Sequence, residues 1–464
     1  YFHIHNTKSS HKTIDINRNL FIHEIKNIVN EKYYTSNIIA DCLIYDKYKN
    51  HIYNEEVFCK CIPLLDPIYL MQNNYNNVIK RNHILPSSFN YNTYHKINSM
   101  DNSAYIDSFF SFICSEITTK KLSPSFPLYY GSITCMKDDF SYDISDDHDT
   151  LQNEKWFKKN LGKNYTLDIY VSSSDEEDSD EDNHESSSDE DNNESSSDED
   201  NHESVSDSDD DTISIASSNE YYKNDDYIVA LKNIPCELFF IEKLDGTLED
   251  LLDDNIDFNL IISCIFQVSF GILYLQKHYQ FTHNDLHVNN IMFKKTDKDF
   301  FYYKYNNIYF KVPTYGYVFK IIDFGRSIFT FHNKLFFNDS FKKYGEAEGQ
   351  FKHPFFDIYN RSKNNKLNIN FNFDICRLAI TILDVCNYDK NDPTFDNEFY
   401  NFIYNLTLDN DCNSLMDLDD DFNMYISITN KACNSLPSNI IQNKIFNNYR
   451  IKKKYFPKKL YYHL

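Results

Sequence analysis

Residues 258–325 run from an apolar segment, through a polar loop, to a strand that ends in acid and glycine. That order narrows the fold more than any other feature. Residues 258–279 are apolar on most faces, as a central core helix requires. Asn259, Ser263, Gln267 and Ser269 interrupt the run, so a buried helix is expected rather than a membrane span. The helix delivers the chain into F-T-H-N-D-L-H-V-N-N-I-M-F at 281–293, and a strand over 318–322 leads to I-I-D-F-G. Asp285 is a short acid on a polar loop, suited to act as a general base on a hydroxyl. Asn290 lies five residues on and offers a side-chain oxygen to a hard cation, and Asp323 adds a carboxylate at the strand end. A base with two oxygen ligands is the equipment of a phosphoryl-transfer centre.

Upstream, residues 37–45 and 56–63 are β-formers around a polar turn at 47–50, which predicts a hairpin. Lys60 sits between Cys59 and Cys61 and points opposite to both on a strand. Taken alone it is an edge lysine that discourages aggregation; with the 281–293 loop downstream, contact with phosphate is the better reading. Residues 66–99 are long for a connection and form an insertion with structure of its own. The spacing over 103–117 predicts a helix carrying Asp107 and Glu116, either a partner for Lys60 or a solvated acid. Residues 126–135 and 235–244 read as strands, and 245–252 as the start of a helix with Thr247 as N-cap.

The net charge of −24 is concentrated in one place. Residues 172–211 hold 20 Asp and Glu and no Lys or Arg, so the remainder carries only −4. Within this tract a nine-residue unit recurs at 183–191, 192–200 and 201–209. Such a segment cannot bury a core and is expected to be a disordered insert, either passive or regulated by phosphorylation of its serines. The 11 Cys show no C-x-x-C spacing, which suggests reduced thiols in an intracellular, cytoplasmic setting. No signal-peptide pattern opens the sequence, which starts at Tyr1 rather than Met, so residues upstream are expected. Six basic residues between Arg450 and Lys459 most simply face water, and nucleic acid is not an expected partner. Only 8 Gly occur where about 32 would be usual, a bias of an AT-rich genome.

At these motifs the chain resembles the eukaryotic protein kinase family. His283-x-Asp285-Leu286-x-x-x-Asn290 is similar to the catalytic loop, and Asp323-Phe324-Gly325 to the metal-binding D-F-G. The resemblance implies that Asp285 is the catalytic base, that Asn290 and Asp323 hold Mg²⁺, and that Lys60 contacts the ATP phosphates. It implies that residues 239–243, with Glu242, meet adenine, and that Asp374 braces the catalytic loop. Asp107 lies in N-S-A-Y-I-D-S-F-F, which with F-C-K-C-I-P-L-L-D-P and I-I-D-F-G-R-S looks like kinase-like proteins of giant DNA viruses. Host cytoplasm or virion would be the location. The implied fold is α+β and bilobal. A small β-rich N-lobe spans 31–244, with the 172–211 insert inside it, after an extension at 1–30. A mainly helical C-lobe spans 245–464 and ends in the basic segment.

The departures concern the nucleotide. No Gly precedes Gly131, so the Gly-rich loop is missing, and Phe58 stands where a small residue usually leaves room for adenine. Asn284 replaces the usual Arg, His287 replaces a Lys, and 33 residues separate Asn290 from Asp323, which requires an inserted hairpin over 294–316. The expected activity is ATP- and Mg²⁺-dependent phosphorylation of protein Ser/Thr. The alternatives are a pseudokinase scaffold that recruits basic proteins through the acidic loop, and a small-molecule kinase.

Overall fold

The computed structural model describes residues 19–31, 35–75, 91–170, 226–252, 256–341, 345, 347–351, 369–416, 421–459 and 461–464. The architecture is mixed α+β. Strands β1 (Leu20–Glu31), β2 (Ile38–Asp46), β3 (His51–Pro63), β4 (Tyr129–Asp143), β5 (Tyr165–Tyr170) and β6 (Asp226–Glu242) form one antiparallel sheet. Its order is β1-β2-β3-β6-β4, with β5 also on β6. The expected hairpin is β2–β3, in register from Ile38↔Cys59 to Asp46↔His51. The sheet begins earlier than the expected boundary at residue 31, because β1 pairs along β2 from Leu20↔Asp46 to Glu31↔Ile38. The acidic tract at 172–211 lies outside the described residues. Its flanks meet as a register pair, Tyr170↔Asp226, at the end of β5 and the start of β6.

Alternation decides which face each side chain takes. Val57, Cys59 and Cys61 are buried on one face of β3, in two clusters that include Ala40, Tyr130 and Cys236. Phe58 and Lys60 take the other face, opposite Ile241 and Phe239. Helices α1 (Pro67–Met71) and α2 (Tyr91–Asn98) give the 66–99 insertion its own structure. Helix α3 (Ser103–Thr119) starts where Asn102 Oδ1 accepts from Ala104 N at 3.1 Å, an N-cap that satisfies an otherwise free donor. The short α4 (His148–Leu151) and α5 (Lys155–Asn160) precede β5.

Past the sheet, β7 (Gly246–Thr247) is followed by a single 3-10 turn at Glu249–Leu251, where a longer helix was expected. Its N-cap is Leu248, without a side-chain cap bond, and not Thr247 as expected; Thr247, one residue earlier, exchanges bonds with Asp250, whose N donates to Thr247 Oγ1 at 3.3 Å and whose Oδ2 accepts from Thr247 N at 2.7 Å. Helix α6 (Phe258–Tyr279) is the one described helix long and apolar enough to cross a membrane, and most of it is buried within the protein. Two of its polar interruptions bond to strand backbone. Ser263 Oγ donates to Pro313 O at 2.5 Å, and Gln267 Oε1 accepts from Phe319 N at 3.2 Å.

Strands β8 (Ile291–Lys295) and β11 (Tyr317–Ile321) pair around the excursion β9 (Phe300–Tyr305)–β10 (Ile308–Pro313), which is the expected inserted hairpin. Strands β12 (Phe329–Phe331) and β13 (Lys334–Phe336) follow. Helices α7 (Phe373–Val385), α8 (Glu398–Leu406), α9 (Asp421–Lys431) and α10 (Pro437–Ile440) complete this half. Strands β14 (Arg450–Ile451) and β15 (Tyr462–His463) from the basic end flank the hairpin, giving the order β14-β10-β9-β15. The largest apolar cluster centres on α6 and takes in α3, α7, α8 and β8–β11.

Candidate active site

The site is assembled on three aromatic rings. Phe110 of α3 stacks on Phe281 at 4.8 Å and meets Phe324 edge-on at 5.2 Å, and all three are buried. Each ring pair contributes about 0.5–1.5 kcal/mol beyond its burial. This packing ties the start of the polar loop and the D-F-G segment to one helix, the helix that also carries Asp107.

Lys60 Nζ lies 2.7 Å from Asp107 Oδ2 and 2.9 Å from Asp323 Oδ2. Asp107 also accepts from Phe324 N at 2.9 Å, so one buried carboxylate fixes the lysine and the D-F-G backbone together. Burial alone would lower the Lys60 pKa, but Asp107 and Asp323 outweigh it and raise it. Burial pushes Asp107 up. It would do the same to Asp323, yet Lys60 brings that carboxyl down to about 2. Asp323 has φ +60°, a left-handed conformation that costs energy and aims the side chain back at Lys60. Glu116 takes no part: it pairs with Lys120 at 3.0 Å along its own helix.

The polar loop is clamped from below. Asp374, fully buried in the first turn of α7, accepts from His283 N at 2.9 Å and Asn284 N at 3.0 Å. Asn284 adopts φ +62° and donates through Nδ2 to Arg326 O at 3.1 Å. It thereby ties the loop to the residue after D-F-G, a bond the sequence did not announce. His283 Nε2 lies 2.9 Å from Ile322 O, and Ile322 N donates to Asn290 O at 3.1 Å.

Asn290 Nδ2 donates to Asp285 O at 2.8 Å and lies 2.9 Å from His287 Nε2. Burial lowers the His287 pKa, in keeping with a neutral ring that accepts this bond. The amide nitrogen being spent, the Asn290 side-chain oxygen remains for a cation, and Asp323 stands one residue from Ile322, which is bonded to Asn290. Among the described residues no cluster of three His, Cys, Asp or Glu side chains could hold a metal by itself. An amide and one carboxylate fit a Mg²⁺ that draws its other ligands from phosphate and water.

Two further residues reach Asp285 that sequence reasoning missed. Tyr425 OH of α9 donates to Asp285 Oδ1 at 2.6 Å, and Arg326 Nη1 lies 3.6 Å from the same oxygen. Tyr425 is 140 residues away and belongs to no motif. Arg326 follows D-F-G directly and could have been suspected from position alone.

Glu242 is placed differently from the adenine role expected of it. It pairs with Val57, out of phase with Phe58 and Lys60, so its side chain leaves their face of the sheet. Its carboxylate is buried, 2.9 Å from Lys320 Nζ and 3.7 Å from Lys294 Nζ, and accepts from Leu128 N at 3.2 Å. Lys320 Nζ in turn donates to Phe126 O at 2.9 Å, and Lys294 pairs with Glu55 at 3.1 Å. This network joins the antiparallel sheet to β8 and β11.

No family model matches the chain. A 75-residue stretch is 44% identical to the uncharacterized protein 098R of Invertebrate iridescent virus 6. The match covers 15% of this chain and only 12% of that relative.

Proposed function

We propose that the chain is a divergent, viral-type protein kinase with a bilobal arrangement, transferring the γ-phosphate of ATP to protein Ser/Thr. In this reading the antiparallel sheet and α3 make the smaller lobe, and α6 to α10 make most of the larger. The observation that carries it is Lys60 bridging Asp107 and Asp323, with Asp285 and Asn290 on the loop bonded to the same D-F-G segment.

The roles follow from charge and reach. Lys60 stays cationic and offers an ammonium to phosphate oxygens while Asp107 fixes its position. Asp323 and Asn290 would hold Mg²⁺, which offsets charge on the phosphates when bound. Asp285 takes the proton of the acceptor hydroxyl. Asn290 positions Asp285 through its backbone carbonyl, and Asp374 fixes the loop.

The chain would be incubated with labelled ATP, Mg²⁺ and mixed protein substrates, beside Asp285→Ala. Labelling by the parent and its loss in the variant is the expected result; equal labelling would refute the reading. A second reading, a scaffold without phosphotransfer, is favoured by Phe58. Its ring shares the Lys60 face and packs against the cluster of Tyr129, Phe239 and Ile241, on the side where adenine would enter.

A further inference from the structure

We propose that Tyr425 is itself a phosphoryl-acceptor site, modified in cis with Asp285 as the base. The inference rests on the phosphotransfer reading above and names a substrate within the chain.

An acceptor hydroxyl must hydrogen-bond the base before it attacks. The Tyr425 phenol already does so, at 2.6 Å from Asp285 Oδ1. The ring is held in place: Phe373 lies 5.9 Å away, and the Arg377 guanidinium sits over its face at 5.2 Å. Arg326 reaches the Asp285 oxygen that the phenol bonds, and Arg377 covers the ring. Arg377 Nε is buried without a hydrogen-bond partner among the described residues. One arginine over the ring and a second at the carboxylate that the phenol bonds suit a phosphate dianion better than a neutral phenol. Burial, and then the Asp285 charge, raise the phenol pKa, so its proton stays on oxygen until the base removes it.

The step balances. The Tyr425 oxygen forms a bond to the γ-phosphorus of the nucleoside triphosphate, and the bond from that phosphorus to the bridging oxygen breaks. The phenol proton passes to Asp285, and the nucleoside diphosphate departs with the electron pair. The new phosphate lies where Arg326 and Arg377 can pair with it. Until then the phenol occupies the position that an incoming Ser or Thr hydroxyl needs.

The full chain is incubated with ATP and Mg²⁺, and peptides are mapped by mass spectrometry. Phosphate on Tyr425 is expected, with a first-order rate unchanged over a tenfold dilution of protein and reduced at least tenfold in Asp285→Asn. Tyr425→Phe, which loses one hydrogen bond and keeps the ring, is mixed with Asp285→Asn to test for transfer between chains. No phosphate on the Asp285→Asn chain supports transfer in cis; phosphate there overturns it. If the parent and Tyr425→Phe both label an added protein while Tyr425 stays unmodified, this proposal falls and the kinase reading stands. If neither chain labels anything, both fall.

Discussion

The Lys60 ammonium stands 2.7 Å from the Asp107 carboxylate, and Asp107 is only 1% exposed. Removing one partner of a buried pair strands the other charge, at a cost of about 3–5 kcal/mol. Lys60→Met should therefore lose stability in urea denaturation, by about 3 kcal/mol because Phe324 N still serves Asp107. The loss should shrink on acidification, as the stranded carboxyl takes up a proton. A variant as stable as the parent at pH 7 would mean that the pair is solvated.

Asp374 satisfies two backbone donors of the polar loop at once. Asp374→Ala leaves both buried and unpaired, which should cost on the order of 3 kcal/mol. On the proposed reading phosphotransfer should fall further than folding, since His283 and Asn284 lead directly into Asp285. Hydrogen exchange at their amides reports this directly: protection should drop in the variant while that of α6 holds.

The helices and strands around the site were legible because each follows a local rule. The 258–279 helix was bounded correctly by its apolar run, and the 294–316 hairpin was required by the distance from Asn290 to Asp323. Asp107 and Glu116 both stayed open in sequence, because both lie on one helix, and its rotation and its position along the axis decide which meets Lys60. Residues 245–252 looked helical by capping and composition. Pairing of Gly246–Thr247 with β8 overrode that propensity and left one 3-10 turn. Tyr425 was illegible, since nothing local to α9 indicates that it ends at a loop 140 residues earlier.

Glu242 and Glu55 offer a contrast between buried and exposed charge. Glu242 meets Lys320 with both side chains under a tenth exposed, whereas Glu55 and Lys294 are each about a third exposed. Glu242→Ala should cost about 3–5 kcal/mol by leaving Lys320 buried without its counter-ion. Glu55→Ala should cost at most about 1 kcal/mol. Replacing Glu242 and Lys320 together with Met should restore most of the loss. Equal effects of the two single variants would contradict this ordering.

His287 gives a pH signature with a definite sign. Burial lowers its pKa from 6.5; Asp285 and Asp323 oppose this, and Arg377 and His283 reinforce it. Below pH 6.5 the unfolded chain binds the proton that the folded chain resists, so stability should fall as pH drops from 7.5 toward 5.5. His287→Asn keeps an acceptor for Asn290 and removes the titration. Its melting temperature should change less over the same range than the parent's. An identical slope in both proteins would assign the dependence to other groups.

Phe58 decides between the catalytic and scaffold readings. It lies across from Ile241 and in phase with Lys60, so on the proposed reading its ring shares the sheet face that the nucleotide would use. Phe58→Ala removes a partly buried ring, at about 1–2 kcal/mol of stability. The space gained should strengthen binding of ATP with Mg²⁺ about tenfold, a difference of roughly 1.4 kcal/mol. Thermal shifts with increasing nucleotide measure this, because a ligand that binds only the folded chain stabilises it in proportion to ln(1 + [L]/Kd). A shift in the variant and none in the parent would make the ring the obstacle. A shift in both would show that the ring moves aside and that a small residue is unnecessary here. With no shift in either, the Lys60, Asp107 and Asp323 arrangement would be structural, and the scaffold reading would take its place.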